Sequence, residues 1–173
     1  MRKALTVIFA MTLTFATTLH AQIVTTIAGN GLSGFSGDSG LAINAQIFGP
    51  IAGLISDVSG NLYFSDHYNN RVRKINALTG IITTIAGNGL SGFSGDGGLA
   101  INAKLTAPRG LCIDMSGNLY IADYINHRIR KVDALTGVIT TIAGNGDLVN
   151  PGDGGLAINS GLAGPLAICI DPM

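Results

Sequence analysis

An acidic, an amide and a basic side chain recur at a fixed spacing in two parts of the chain, and such a set can carry out acid–base chemistry. The two sets are Asp66, Asn69 and Arg71, and Asp123, Asn126 and Arg128. A catalytic centre is needed once per molecule, whereas these residues occur once per repeat. We therefore expect a structural role, in which each aspartate accepts hydrogen bonds from turn N–H groups and each arginine pairs with a nearby carboxylate.

Aspartates also lie in three glycine-rich loops, as Asp38, Asp96 and Asp153. Carboxylate oxygens are ligands for Ca²⁺, but this ion takes about six to eight oxygens and each loop offers a single carboxylate. We expect these aspartates to bond to the backbone of their own loops instead. The sequence therefore predicts no metal site, no cofactor site and no catalytic residue.

The histidines and cysteines give no stronger signal for chemistry. His67 and His127 have no serine, cysteine or second histidine at a spacing suited to nucleophilic or zinc chemistry. Cys112 and Cys169 occupy equivalent places in successive repeats. Equivalent places in a radial array lie too far apart for a disulfide, which needs a Cα separation of about 4.4–6.8 Å. We expect both cysteines to be small buried apolar residues rather than a disulfide pair.

The spacing of all these residues follows from a repeat that covers most of the chain. The segments 23–45 and 81–103 are almost identical, and a looser copy begins at Val138, so the three copies start at nearly equal intervals. Each unit holds four short apolar or β-branched runs separated by turn signals, followed by a long glycine-rich loop. Self-similarity at a nearly constant period indicates a repeat architecture.

The repeat unit predicts the fold. Its first two strands are apolar with little alternation, so both of their faces must be covered, and four-stranded sheets stacked radially provide that cover. The expected fold is all-β, a partial β-propeller of four-stranded antiparallel blades, with about two and a half blades in segment 22–173. Its parts are an outer strand at 23–28, blades at 50–87 and 108–144, and the start of a further blade at 165–171.

The segment 1–21 has a basic head, an apolar middle and a small residue at its end, a pattern typical of a secretory signal peptide cleaved near Ala21. We expect a secreted, periplasmic or cell-surface protein that is not inserted in a membrane after cleavage. Without Arg2 and Lys3 the chain has eight basic and ten acidic residues, a net charge of −2. Nucleic-acid binding therefore has no electrostatic support.

The segment from Pro108 to Gly146, PRGLCIDMSGNLYIADYINHRIRKVDALTGVITTIAGNG, resembles bacterial NHL repeats. The namesake tripeptide is Asn126-His127-Arg128, with a degenerate counterpart at 69–71, and the SGDGG loops are similar to those of teneurin-type NHL propellers. The resemblance covers the whole mature chain and implies a ring of about six blades. Ten predicted strands do not complete such a ring, so we expect an N-terminal fragment of a longer propeller whose exposed blade edges favour self-association.

The function expected from this pattern is a non-enzymatic, exported scaffold that binds protein or glycan at or outside the cell envelope. Some propellers related to NHL repeats are metal-dependent lyases or lactonases, so the alternative is part of such an enzyme with its active-site residues in further blades. A ligand site should lie where the repeats diverge, and the clearest divergence near an inner strand is Ile51-Ala52, Arg109 and Leu166. Arg109 is the charged member of this set and the candidate ligand contact.

Overall fold

A computed structural model describes residues 24–50, 53–149 and 152–171. These residues contain eight β-strands in two antiparallel sheets, each with its four strands in chain order. The first sheet comprises β1 (Leu54–Ser56), β2 (Leu62–Asp66), β3 (Arg71–Ile75) and β4 (Ile82–Ala86). The second comprises β5 (Pro108–Ile113), β6 (Leu119–Asp123), β7 (Arg128–Val132) and β8 (Ile139–Ala143). The predicted all-β fold of four-stranded antiparallel blades is confirmed.

Hydrogen bonds from an aspartate shape the turn between the first two strands of each blade. In the first blade, Asp57 Oδ1 accepts from the N–H groups of Ser59 and Asn61, at 2.9 and 3.0 Å, and its Oδ2 accepts from the Tyr63 hydroxyl at 3.0 Å. Gly60 completes the turn with a φ of 79°, a conformation that costs glycine little. Asp114 makes the same contacts in the second blade. The turn is therefore encoded locally.

The main apolar core lies between the two blades. Leu111, Leu119 and Ile121 of the second blade pack with Val72 of the first, and all four are buried. The loop between the blades adds Leu105 and two alanines to the same cluster. Because the first strands of each blade contact a neighbour on this face, their near-continuous apolar character is explained.

Each glycine-rich loop runs along the outer strand of the blade that follows it. Leu41 forms an isolated antiparallel bridge with Ile81, and Leu99 forms the equivalent bridge with Val138. The loop folds tightly on itself: a Cβ on Gly37 would lie 2.8 Å from the Cα of the buried Ala45. Gly37 also has a φ of 87°, so both space and backbone conformation require glycine there.

Several expectations differ from the structure or fall outside it. Residues 24–28 and 166–170, expected as outer and inner strands, form no strand, because a ladder needs a partner strand and none of the described residues supplies one. Cys112 is half-buried and Cys169 is exposed, both as free thiols, so the expected burial was wrong. The signal peptide at 1–21, Ile23 and the Ile51-Ala52 pair lie outside the described residues. In the described part, no helix is long and apolar enough to cross a membrane.

Candidate functional site

A buried ionic cluster occupies the first blade. Arg73, on β3, has no exposed side-chain surface and pairs with two carboxylates, Asp66 at 3.1 Å and Asp38 at 2.8 Å. Its Nη2 also donates to the Ser36 carbonyl at 3.1 Å. Asp38 accepts a further hydrogen bond from the Thr84 hydroxyl at 2.7 Å. Arg73 and Asp38 together thus join the glycine-rich loop to strands β2, β3 and β4.

The second blade repeats this cluster. Arg130 is fully buried and pairs with Asp123 at 3.3 Å and with Asp96 at 2.7 Å. Burial raises the pKa of Asp123, and hydrogen bonds from Asn126, the Thr106 N–H and Arg130 oppose that rise without cancelling it. Asp96 is the outer member, with its side chain 39% exposed. The geometry is that of a structural ion-pair network, present once per blade.

Asp66 uses its remaining lone pairs on the same loop. Its Oδ1 accepts from the Phe48 N–H and from Asn69 Nδ2, both at 2.8 Å, while Asn69 also donates to the Gly34 carbonyl at 2.6 Å. The structural interpretation of the recurring aspartates is consistent with these contacts, but the expected partners were wrong. Asp66 bonds the preceding loop and the Asn69 side chain rather than the N–H groups of its own turn, and Asp38 bonds a strand arginine rather than its own backbone.

The recurring Arg71 and Arg128 also differ from expectation. Arg71 donates to the Gly87 and Asn88 carbonyls, at 3.0 and 2.8 Å, and forms no salt bridge within the described residues. Its guanidinium carbon lies 3.8 Å from the centre of the Phe35 ring, and Arg128 stacks on Phe93 at the same distance. Burial lowers the pKa of Arg71, and attraction to Asp38 is the largest opposing effect. These arginines hold loop carbonyls and an aromatic ring rather than a carboxylate.

The two histidines make single contacts between successive repeats. His67 is buried, and its Nδ1 lies 3.1 Å from the Pro108 carbonyl oxygen. His127 has a positive φ of 54°, and its Nδ1 accepts from the Gly164 N–H at 3.1 Å. Neither ring is paired with a nucleophile or belongs to a group of three or more metal-ligating side chains among the described residues.

Arg109, the candidate ligand contact, lies at the start of β5, where the pairing with β6 shifts register between Pro108 and Leu111. Its guanidinium carbon stacks 4.0 Å from the centre of the Tyr124 ring. Its carbonyl accepts a hydrogen bond from the Ser65 hydroxyl of the first blade. In the described part of the chain its side chain forms no salt bridge, and its buried Nε has no hydrogen-bond partner.

Sequence reasoning missed the residues at the centre of each blade. Arg73 and Arg130 alternate with apolar residues, a pattern that predicts a strand and gives no sign of an ion pair, and no motif marks Phe35 or Phe93. A signal was present, because the spacing between the loop Phe-Ser-Gly-Asp and the strand Arg-x-Arg is nearly the same in both repeats. It could not show that the two segments meet, since two strands and several turns separate them along the chain.

The turns at the end of the blades opposite Arg109 carry exposed apolar side chains. In each blade, the turn between the first two strands and the turn between the last two lie side by side, as shown by the Ala77 N–H bond to Asn61 Oδ1 at 3.0 Å. Each of these turns carries one fully exposed aliphatic side chain. The four are Val58 at 107%, Leu78 at 97%, Met115 at 90% and Leu135 at 96% exposure. We call these four residues the turn-tip surface.

The repeats of this chain are similar to those of known proteins. The teneurin NHL domain model matches residues 90–152. Teneurin-3 of Mus musculus is 36% identical over 105 residues, which are 54% of this chain and 4% of that protein. NHL repeat-containing protein 2 of Bos taurus is 33% identical over 111 residues, which are 63% of this chain and 15% of that protein. The chain thus spans a small fraction of the length of these relatives.

Solved structures share the fold. A structural genomics protein of unknown function from Bacteroides thetaiotaomicron superposes with a TM-score of 0.68 and 30% identity, over 88% of this chain and 36% of that one. An auxiliary nutrient binding protein from the same organism superposes with a TM-score of 0.51 and 20% identity, over 68% of this chain and 32% of that one. The second similarity is evidence for the fold alone.

Proposed function

Because this chain is built of NHL-repeat β-propeller blades, we propose that it is an exported, non-enzymatic scaffold that binds protein or glycan partners at or outside the cell envelope. The main supporting observation is the set of contacts that the recurring acidic and basic side chains make. The acids and bases that recur at fixed spacing are engaged with one another and with loop backbone, in two copies of one buried cluster. Such groups stabilise blades and are not free to transfer protons to a substrate.

The turn-tip surface supports a binding role. A turn needs residues such as Asp, Asn or Gly, and neither Val58 nor Leu78 serves the turn geometry. Burial of a fully exposed aliphatic side chain by a partner is favourable by about 1.5–3 kcal/mol. Because these side chains recur at the same end of both blades, we propose them as the contact surface for a protein partner.

The relatives agree with a binding scaffold in general terms. Proteins with NHL repeats predominate among them, and one protein of the same fold is described as an auxiliary nutrient binding protein. The same fold can therefore serve recognition, while the identity of the partner follows from sites and not from the fold.

The proposed contact is tested by capture from an envelope fraction on immobilised protein. Wild type is compared with a Leu78→Ser, Leu135→Ser double variant and with Leu90→Ser, a control at another exposed leucine. We expect wild type and the control to retain the same protein and the double variant to lose it. Equal retention by all three would contradict the turn-tip contact.

Two further measurements test the remaining parts of the proposal. Metal content of the purified protein, determined by mass spectrometry, should be substoichiometric; one equivalent of Zn²⁺ or Ca²⁺ per chain would favour the enzymatic alternative. N-terminal sequencing of the protein from the producing cell should begin at Gln22 if the signal peptide is cleaved after Ala21. Recovery of the intact Met1 terminus in the cytoplasm would contradict export.

A further inference from the structure

We propose that Tyr68, Arg109 and Tyr124, which we call the Arg109 patch, form a binding site for an acidic sugar, with Arg109 binding its carboxylate. The inference rests on the proposed function in one respect, that the propeller acts as a binder, and it assigns a ligand class to the end of the blades opposite the turn-tip surface.

The backbone at Arg109 is fixed by neighbours on both sides. The Ser65 hydroxyl of the first blade donates to the Arg109 carbonyl, and the Gly110 N–H donates to the Leu166 carbonyl at 3.0 Å. Gly110 has no room for a side chain, since a Cβ there would lie 2.7 Å from the Cα of Ala167. The guanidinium is therefore carried by a backbone whose position does not depend on a ligand.

No carboxylate or carbonyl oxygen among the described residues pairs with the Arg109 guanidinium. Arg73 and Arg130 each bind two carboxylates, and Arg71 and Arg128 each bind two carbonyl oxygens. Arg109, by contrast, has no side-chain hydrogen bond to any described residue. A guanidinium that lies over a ring still carries its N–H groups at its edge, where the fork of donors matches the two oxygens of a carboxylate.

Aromatic rings stand at the same end of the blades. Tyr124 packs against Gly164, where a Cβ would lie 2.7 Å from the ring, so the ring that supports Arg109 is itself held in place. Tyr68 follows His67, whose Nδ1 contacts the Pro108 carbonyl next to Arg109, and Tyr68 remains 57% exposed. An exposed ring at the same end of the blades as a cation suits a ligand with an apolar face and one carboxylate, which is the chemistry of a uronic acid.

The patch occurs once in the described chain. The residue that replaces Arg109 in the next repeat is Leu166, and the residue that corresponds to Tyr124 in the first blade is His67. A ligand site needs such divergence, because identical blades would offer the same contact at every position around the ring. The asymmetry of the patch thus distinguishes it from the ionic clusters, which recur in both blades.

Titration calorimetry with four probes tests the inference: galacturonate, acetate, galactose and inorganic phosphate. Wild type should bind galacturonate saturably and more tightly than each of the other three. Arg109→Leu, which copies the next repeat, should weaken galacturonate binding about tenfold or more, the scale of a lost charged hydrogen bond. Arg109→Lys should restore part of the affinity, and Lys131→Leu, which removes a cation elsewhere in the blade, should change nothing.

Because Arg109→Leu can alter the packing of β5, a second variant is Tyr68→Leu, at an exposed position. It should lower the affinity for galacturonate but not the affinity for acetate. Acetate or phosphate binding as tight as galacturonate would overturn the assignment to a sugar acid, and unchanged binding by Arg109→Leu would overturn the site. Absence of galacturonate binding by wild type would also overturn it. That result would leave the turn-tip contact standing, since capture by Leu78 and Leu135 is measured separately.

Discussion

Buried charge is the dominant feature at the scale of single residues. Arg73 and Arg130 have no exposed side-chain surface, and Asp66 and Asp123 are equally buried. A buried ion is tolerated when it is paired and hydrogen-bonded, and it becomes costly when one partner is removed. The stacked ring of Phe93, whose centre lies 4.9 Å from the Arg130 guanidinium carbon, covers the cluster from outside.

Replacing Arg130 should therefore be far more harmful than replacing its neighbour. We expect Arg130→Met to lower the free energy of unfolding by about 3–5 kcal/mol, because Asp123 is left buried without its partner. Lys131→Met, which removes the next charge along the same strand, should cost less than about 1 kcal/mol. Urea unfolding monitored by circular dichroism gives the free energy of unfolding of both variants. Equal decreases would show that the ionic cluster does not stabilise the blade.

His127 makes a side-chain hydrogen bond to the backbone of the following repeat. Its Nδ1 accepts from the Gly164 N–H, just as Asn70 Oδ1 accepts from the Ala107 N–H at 2.9 Å in the preceding repeat. Both acceptors have a positive φ, 54° at His127 and 52° at Asn70, which asparagine adopts readily. His127→Asn should thus preserve the contact, whereas His127→Leu should abolish it. Hydrogen exchange of the Gly164 amide should be unchanged in the first variant and faster in the second; identical exchange in both would refute the contact.

At the scale of elements, the turns between strands depend on ionised aspartates. Partial burial acts to raise the pKa of Asp57, but hydrogen bonds from Asn61, Tyr63 and backbone N–H groups hold that pKa below its usual 3.8. Asp114 follows the same pattern. At Asp133, in the turn before β8, hydrogen bonds from Thr136 are the main cause of a lowered pKa. A carboxylate with a lowered pKa stabilises the fold above its usual pKa and loses that contribution as the pH falls through the folded value.

Acid should therefore weaken the blades through these turns. We expect the urea midpoint of wild type to fall between about pH 5 and pH 2, where the turn carboxylates become protonated. An Asp57→Asn, Asp114→Asn, Asp133→Asn variant should be less stable at neutral pH, with a shallower decline over the same interval. The measurement is urea unfolding at a series of pH values. Parallel profiles for the two proteins would show that the pH dependence originates elsewhere.

At the scale of the whole molecule, equivalent residues have unequal surroundings. Asp96 binds the buried Arg130, whereas Asp153, at the same place in the next loop, is exposed and forms no salt bridge with any described residue. Likewise Leu111 of the second blade is buried against the first blade, while its counterpart Leu54 is 67% exposed. The paired positions carry the same residue, but the segments that pack against them differ.

This difference gives a matched pair of variants. Asp96→Asn should lower the free energy of unfolding by about 1–2 kcal/mol, since it removes a charged hydrogen bond whose acceptor is partly exposed. Asp153→Asn should leave the free energy of unfolding unchanged in this chain. Both are read from urea unfolding curves under the same conditions. A loss of similar size at Asp153 would mean that its carboxylate has a partner after all.

Local sequence patterns are enough to predict most strands and turns of this protein. The Asp-x-Ser-Gly-Asn turns, the alternation of β3 and β7 and the repeat period predicted ten strands, and eight of them lie close to where the structure has them, because turns and strand patterns depend on neighbours within a few residues. The divergence at Arg109 was likewise visible from aligned repeats.

Contacts between side chains that are distant along the chain depend on tertiary packing. Asp38 and Arg73 are 35 residues apart, and Asp96 and Arg130 are 34 apart, so nothing local links each loop carboxylate to its guanidinium. The same holds for the stack of Arg109 on Tyr124 and for the exposure of Cys169. Burial, ion pairing and ring stacking depend on the face that a neighbouring blade or loop covers, and that face is set by the packing of distant segments rather than by the residues beside it.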